Sequence, residues 1–183
     1  MEIESKDVST LKIAINDIVD NIYSEEIREW VSHILYSAPE AFSFQKASRE
    51  HHLPDEREDH GNLLHTIRVA KTVTVICDIL NITGVQRDKQ IAAAVIHDLR
   101  RYGLNDECDS SISVHPQLVR LYLLDAGIVY KGANRYDDDI LVIVEQHMGK
   151  WGTPPIHLEL GSASMILHLA DCIEARLPEV LLW

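Results

Sequence analysis

Histidine and aspartate recur along this chain where helices would begin, end or face one another. His65 lies in Gly61-Asn62-Leu63-Leu64-His65-Thr66, and His97 and Asp98 are neighbours after Ile91-Ala92-Ala93-Ala94-Val95-Ile96. His115 precedes Pro116, His147 precedes Met148-Gly149, and Asp171 closes Leu169-Ala170-Asp171. Imidazole and carboxylate are the ligands suited to divalent iron, manganese, zinc, nickel or cobalt. Adjacent residues point about 100° apart on a helix, so His97 and Asp98 can both reach one ion only where helices cross. The apolar run ahead of them would bury that crossing. An unpaired ionised aspartate there is costly enough to require a metal or a basic partner.

Helices must therefore set these positions, and the spacing of apolar residues predicts them. Leu11, Ile15, Ile18, Val19 and Ile22 form one helical face over 8–23, and Ser24 followed by Glu25 and Glu26 caps a second helix bearing Ile27, Trp30, Val31, Ile34 and Leu35. Pro39 opens a short third helix, and the polar stretch 51–61 reads as a loop. A long helix over 62–80 carries His65 in its first turn, Gly84 marks the turn after it, and the next helix runs 88–102. After the polar segment 105–113, His115-Pro116 begins a helix that ends near Gly127; another spans 137–147, and the last spans 160–177 after a loop over 149–155. No internal repeat, low-complexity segment or composition shift divides the chain. Residues 1–183 read as one all-α domain, with 1–40 an N-terminal helical arm and 47–177 the core.

Composition narrows the partners. Lys and Arg number 17 against 29 Asp and Glu, a formal net charge of −12, yet the chain has ten histidines. Such an acidic surface repels phosphate backbones and excludes a large duplex nucleic-acid groove. The three cysteines, Cys77, Cys108 and Cys172, are far apart and odd in number, which suits buried reduced thiols of a cytoplasmic protein. The acidic N-terminus does not read as a secretory signal, and the longest apolar runs, 91–96 and 140–144, fall short of the ~20 residues that cross a bilayer. The expected protein is soluble, without a membrane partner, and compatible with a homo-oligomer.

The order His65, His97-Asp98, Asp171 resembles the H…HD…D signature of the HD superfamily of metal-dependent phosphohydrolases, and the resemblance runs from about Ala47 to Arg176. Ala47-Ser48 with His52 downstream, 61–66, 97–103, His115-Pro116, 147–151 and 168–171 look like one subgroup of small HD proteins. Three details depart from the pattern: Arg101 stands where lysine is frequent, Arg100 where glycine is common, and Gly61-Asn62 replaces a doubled glycine. Nothing resembles the glycine-tyrosine-proline signature of the branch that cleaves cyclic dinucleotides.

The resemblance implies a helical bundle with the metal site at a helix crossing. It makes His65, His97, Asp98 and Asp171 ligands for one or two divalent ions (Mn, Fe, Co, Ni, Zn or Mg), with His115 and His147 binding a second ion or touching the phosphate. Arg68, one turn after His65, together with Arg101 and Lys150, would neutralise phosphate oxygens, while Asp98 orients the attacking water and His115 protonates the leaving oxygen. His52 and His60 would line the pocket mouth, His168 would orient the site, Trp151 would stack on a ring or plug its loop, and Arg176 would close the Ala-Asp segment or pair with Glu174. His33 and His157 have no evident partner. The implied substrate is a nucleotide or another small phosphorylated metabolite. The same ligands also suit a di-iron oxygenase, or a non-catalytic module binding a nucleotide or a protein.

Overall fold

Helix α4 (Gly61–Ile79) is buried on most of its circumference, because α1 (Val8–Asp20), α3 (Glu40–Phe44), α5 (Gly84–Ile96) and α8 (Ala163–Val180) all pack against it. The structure, a computed structural model, describes residues 7–47, 52–106 and 112–180, with side chains described as far as 175. Within those residues the elements are all helical; α2 (Glu25–Tyr36), α6 (His115–Asp125) and α7 (Tyr136–Gln146) complete the set. No helix among them is long and apolar enough to cross a membrane. Ser48 and Cys108 lie outside the described residues, as does the side chain of Arg176.

The periodicity is realised as burial. Leu11, Ile15 and Val19 of α1 and Ile27, Trp30, Val31 and Ile34 of α2 join the same hydrophobic cluster as α4, α5 and α7. Full burial of each such side chain contributes roughly 1.5–3 kcal/mol. Asp7 caps α1 by accepting from the Thr10 amide (3.3 Å), and Ser24 caps α2. Buried Asp88 of α5 accepts the amides of Tyr23 (3.1 Å) and Ser24 (2.8 Å). This bond pair ties the turn between the first two helices to the core.

Two expected boundaries move. Gly84 (φ +59°) begins α5 instead of lying in the turn ahead of it. The helix expected over 88–102 stops at Ile96, so His97 caps it and Asp98 lies in the turns beyond. The backbone tightens there into i→i−3 bonds, from the amides of Leu99 and Arg101 to the carbonyls of Ile96 and Asp98. Asn62 donates to the Asp98 carbonyl (3.3 Å), and the Arg100 guanidinium donates to the carbonyls of Gly103 and Leu104. His65 accordingly sits in the second turn of α4, and His115 opens α6 with Pro116 in its first turn.

Gly61 brings a 3-10 turn (Pro54–Arg57) against the start of α4. A Cβ at this position would stand 1.7 Å from the Glu56 carbonyl oxygen, so the turn reaches α4 only because residue 61 lacks one. Gly61→Ala should push the turn away at a cost of about 1–3 kcal/mol. A thermal melt followed by circular dichroism should register a fall of roughly 2–4 °C per kcal/mol for a chain of this size. An unchanged melting temperature would show that the turn's position is not constrained there.

Candidate metal centre

Five helices deliver six side chains to one place. His65 comes from α4, His97 and Asp98 from the end of α5, His115 from the start of α6, His147 from the end of α7, and Asp171 from α8. All are buried except Asp171, whose side chain is 18% exposed, so solvent approaches the cluster along α8.

Asp98 is the centre. Its Oδ2 lies 3.5 Å from His97 Nε2 and 4.0 Å from His65 Nε2, while its Oδ1 lies 2.9 Å from His115 Nε2. His65 Nε2 also stands 3.0 Å from Asp171 Oδ1, and His115 Nε2 stands 3.3 Å from His147 Nε2. The two oxygens of one carboxylate thus face two different groups of donors.

The tautomers follow from the backbone. The Nδ1–H groups of His97, His115 and His147 donate to the carbonyls of Ala94 (2.8 Å), Ile112 (2.6 Å) and Val144 (2.7 Å), each three residues earlier. A carbonyl only accepts, so each Nδ1 carries the proton and, in the neutral ring, each Nε2 presents a lone pair to the centre. His97 Nε2 is buried with no hydrogen-bond partner. Lone pairs and carboxylate oxygens converging in a dry site repel one another unless a cation lies among them. The donor set, imidazole nitrogen with carboxylate oxygen, fits a divalent transition ion.

Titration behaviour agrees with that geometry. Burial, reinforced by His97 and His115, lowers the His147 pKa to about 3, and burial also lowers that of His97. Both rings are neutral and ready to ligate at pH 7. Burial also opposes charge on His65, but the hydrogen bond to Asp171 and the nearby Glu56 outweigh it and raise its pKa to about 9. For Asp98, burial favours the acid, but Arg101, His97 and His115 prevail and hold the carboxyl well below the usual range.

The other expected site residues divide. Arg101 reaches the centre, pairing with Asp98 Oδ2 and donating from Nη2 to His52 Nε2 (2.8 Å). Arg68 does not face the centre as a free cation: Nη1 donates to Glu56 (2.7 Å) and Asp55 (3.0 Å), and Nη2 also binds Asp55. It holds those carboxylates. Arg100 points toward Asp106 and the Tyr122 ring. Lys150 is exposed and lies over the Trp151 ring (4.7 Å), which is stacked on His168 (5.3 Å). His168 donates from Nδ1 to the His147 carbonyl (2.6 Å), steadying the residue that ends α7. Trp151 remains 40% exposed, so it does not plug the core.

His52 is buried against His65 (ring centroids 4.3 Å apart) instead of lining a mouth, while His60 donates to the Ser43 carbonyl and packs on Phe44. His33 and His157 are exposed. Cys77 is buried, and Cys172 lies 3.8 Å from His168 Nε2. A groove of about 430 Å³ lined by Tyr23, Asn81, Thr83 and Arg87 lies at the α4–α5 turn and contains none of these histidines. The candidate site is the packed cluster.

The sequence reading passed over Glu56. It is fully buried among His52, His65 and Arg68, yet it sits in a polar stretch without apolar period. Its separation of four residues from His52 was the available signal, and only the turn begun at Pro54 gives that spacing a meaning.

The family model of the HD domain matches residues 62–176, well over half of the chain, with all six clustered side chains inside it. This chain belongs to the HD-domain family. HD domains are typical of metal-dependent hydrolases, and the buried His and Asp groups of this HD-domain protein are able to hold a metal. No curated protein and no solved structure matches it. The matched stretch begins after His52 and Glu56, so these two stand outside the family's recognised span.

Proposed function

We propose that this HD-domain protein hydrolyses a phosphate ester of a small metabolite, a nucleotide being the favoured class, with one or two divalent ions held by His65, His97, Asp98, Asp171, His115 and His147. The observation that carries the reading is Asp98, whose Oδ2 faces His65 and His97 while Oδ1 faces His115. A divalent ion held in this set supplies Lewis acidity to the phosphoryl group and lowers the pKa of water from 15.7 toward about 7.

The chain's own groups do the remainder. Asp98 orients the attacking water through whichever oxygen is free to accept. Arg101, the cation already inside the cluster, stabilises charge on the phosphoryl oxygens, and Lys150 offers a second, exposed cation beside the α7 end. His115 has two exclusive uses for Nε2, because its Nδ1–H remains on the Ile112 carbonyl: where it does not hold an ion, its Nε2–H would deliver the proton to the leaving oxygen. The acidic chain, at −12, disfavours a polynucleotide and leaves a small ester as the substrate. We place the protein in the cytoplasm.

The test is elemental analysis of the purified protein, then phosphate release from a panel of nucleotides and sugar phosphates with Mn, Fe, Co, Ni, Zn and Mg, run with and without oxygen. Metal-dependent phosphate release without oxygen is the expected result. Oxygen uptake in place of phosphate release would transfer the site to di-iron oxygenase chemistry. Bound metal with no turnover would leave a module that binds a nucleotide or a protein.

A further inference from the structure

Glu56 divides its two oxygens in a way that links separate parts of the site. Oε1 accepts from Arg68 Nη1 at 2.7 Å, and Asp55 holds the far side of the same guanidinium. Oε2 accepts from His52 Nδ1 at 2.9 Å and lies 3.3 Å from His65 Nδ1, an ion-pair distance without an aligned hydrogen bond. Each ring then turns its Nε2 to a different duty. His65 Nε2 enters the metal centre beside Asp171 and Asp98, and His52 Nε2 accepts from Arg101.

The tautomer of His52 is therefore set by Glu56. With its proton on Nδ1 for the carboxylate, the neutral ring must offer a lone pair at Nε2, which is what a guanidinium N–H requires. Without the carboxylate, the proton is free to move to Nε2, where it would oppose Arg101. At His65 the same oxygen favours the proton on Nδ1 and makes Nε2 the better electron donor, as carboxylate partners of metal-bound imidazoles do.

We propose that Glu56 is a positioning residue that fixes the ligand His65 and, through His52, the phosphate-binding Arg101, so that one carboxylate outside the matched HD segment tunes both metal and phosphate binding. The inference rests on the phosphohydrolase reading above.

The experiment uses the full chain and two probes, Mn(II) alone and then inorganic phosphate on the Mn-saturated protein, each followed by isothermal titration. Glu56→Gln keeps the shape and removes the charge. It should weaken Mn(II) binding by about 10–100-fold and weaken phosphate binding as well. His52→Gln should weaken phosphate binding while leaving the Mn(II) dissociation constant within about twofold, a split that a merely structural role does not produce.

A Glu56→Gln protein that melts earlier but binds both probes like the wild type overturns the proposal. So does a His52→Gln protein that loses Mn(II) and phosphate equally or loses neither, and this second variant decides the matter if Glu56→Gln does not fold. Wild-type protein that binds no Mn(II) or other divalent ion would instead overturn the phosphohydrolase reading, and this inference with it.

Discussion

Asp98→Asn should lower metal-dependent turnover by at least about a thousandfold, the loss expected when Lewis-acid stabilisation worth several kcal/mol is removed. Asparagine keeps the volume and one acceptor oxygen for Arg101, but it offers neither the negative charge nor the second oxygen that faces His115. The measurement is kcat/KM for the best phosphoester found, beside metal content from elemental analysis. Asparagine is the right replacement because alanine confounds two effects. The Asp98 side chain is 2% exposed and paired with Arg101, which is 9% exposed, so Asp98→Ala would leave a largely buried guanidinium without its anion. Breaking such a pair costs about 3–5 kcal/mol. Lost activity in the alanine variant would then report unfolding as much as lost metal. Asp98→Asn that still binds metal and turns over within tenfold of wild type would remove Asp98 from the centre.

The candidate ligands were legible in the sequence and their support was not, and the reason is physical. His65, His97, Asp98 and Asp171 were legible as an ordered set through the resemblance to the H…HD…D signature, whereas periodicity alone does not single them out, since α4 is buried on most of its circumference. His115 and His147 are marked by the helix boundaries at Pro116 and Gly149. The first two helices were equally legible, since Leu11, Ile15, Val19 and Trp30 keep helical spacing and are all buried. What failed was anything decided by contacts that no apolar period announces. The end of α5 was misplaced because apolar Leu99 continues the pattern beyond Ile96, while the backbone there tightens into i→i−3 bonds. Arg68 looked like a phosphate contact because it shares a face with His65 at a spacing of three. Asp55 and Glu56, which claim it, arrive from a 3-10 turn that no periodic pattern announces. Likewise Gly61 looked like half of a doubled glycine, and only the Glu56 carbonyl against it explains why no Cβ fits.

Metal addition should stabilise the protein, and its dependence on pH should oppose that of the metal-free chain. An ion present at a hundred times its dissociation constant contributes about 2.7 kcal/mol, a rise in melting temperature of roughly 5–11 °C for a chain of this length. His65 controls the pH trend. Its folded pKa, about 9, exceeds the ordinary 6.5, so its contribution to the metal-free fold is complete below pH 6.5 and is lost as pH rises through 9. A metal needs the same Nε2 without its proton, so below pH 9 binding must expel that proton, and affinity rises up to about tenfold per pH unit. His147, with a pKa of about 3, is already neutral over this range and adds no such slope. Scanning calorimetry with EDTA or with Mn(II) between pH 6.5 and 9 separates the two trends. The melting temperature in EDTA should fall with rising pH while the increment from Mn(II) grows. An increment that is constant across this range would mean that His65 does not exchange its proton for the ion, and would take it out of the ligand set even if metal binds elsewhere in the cluster.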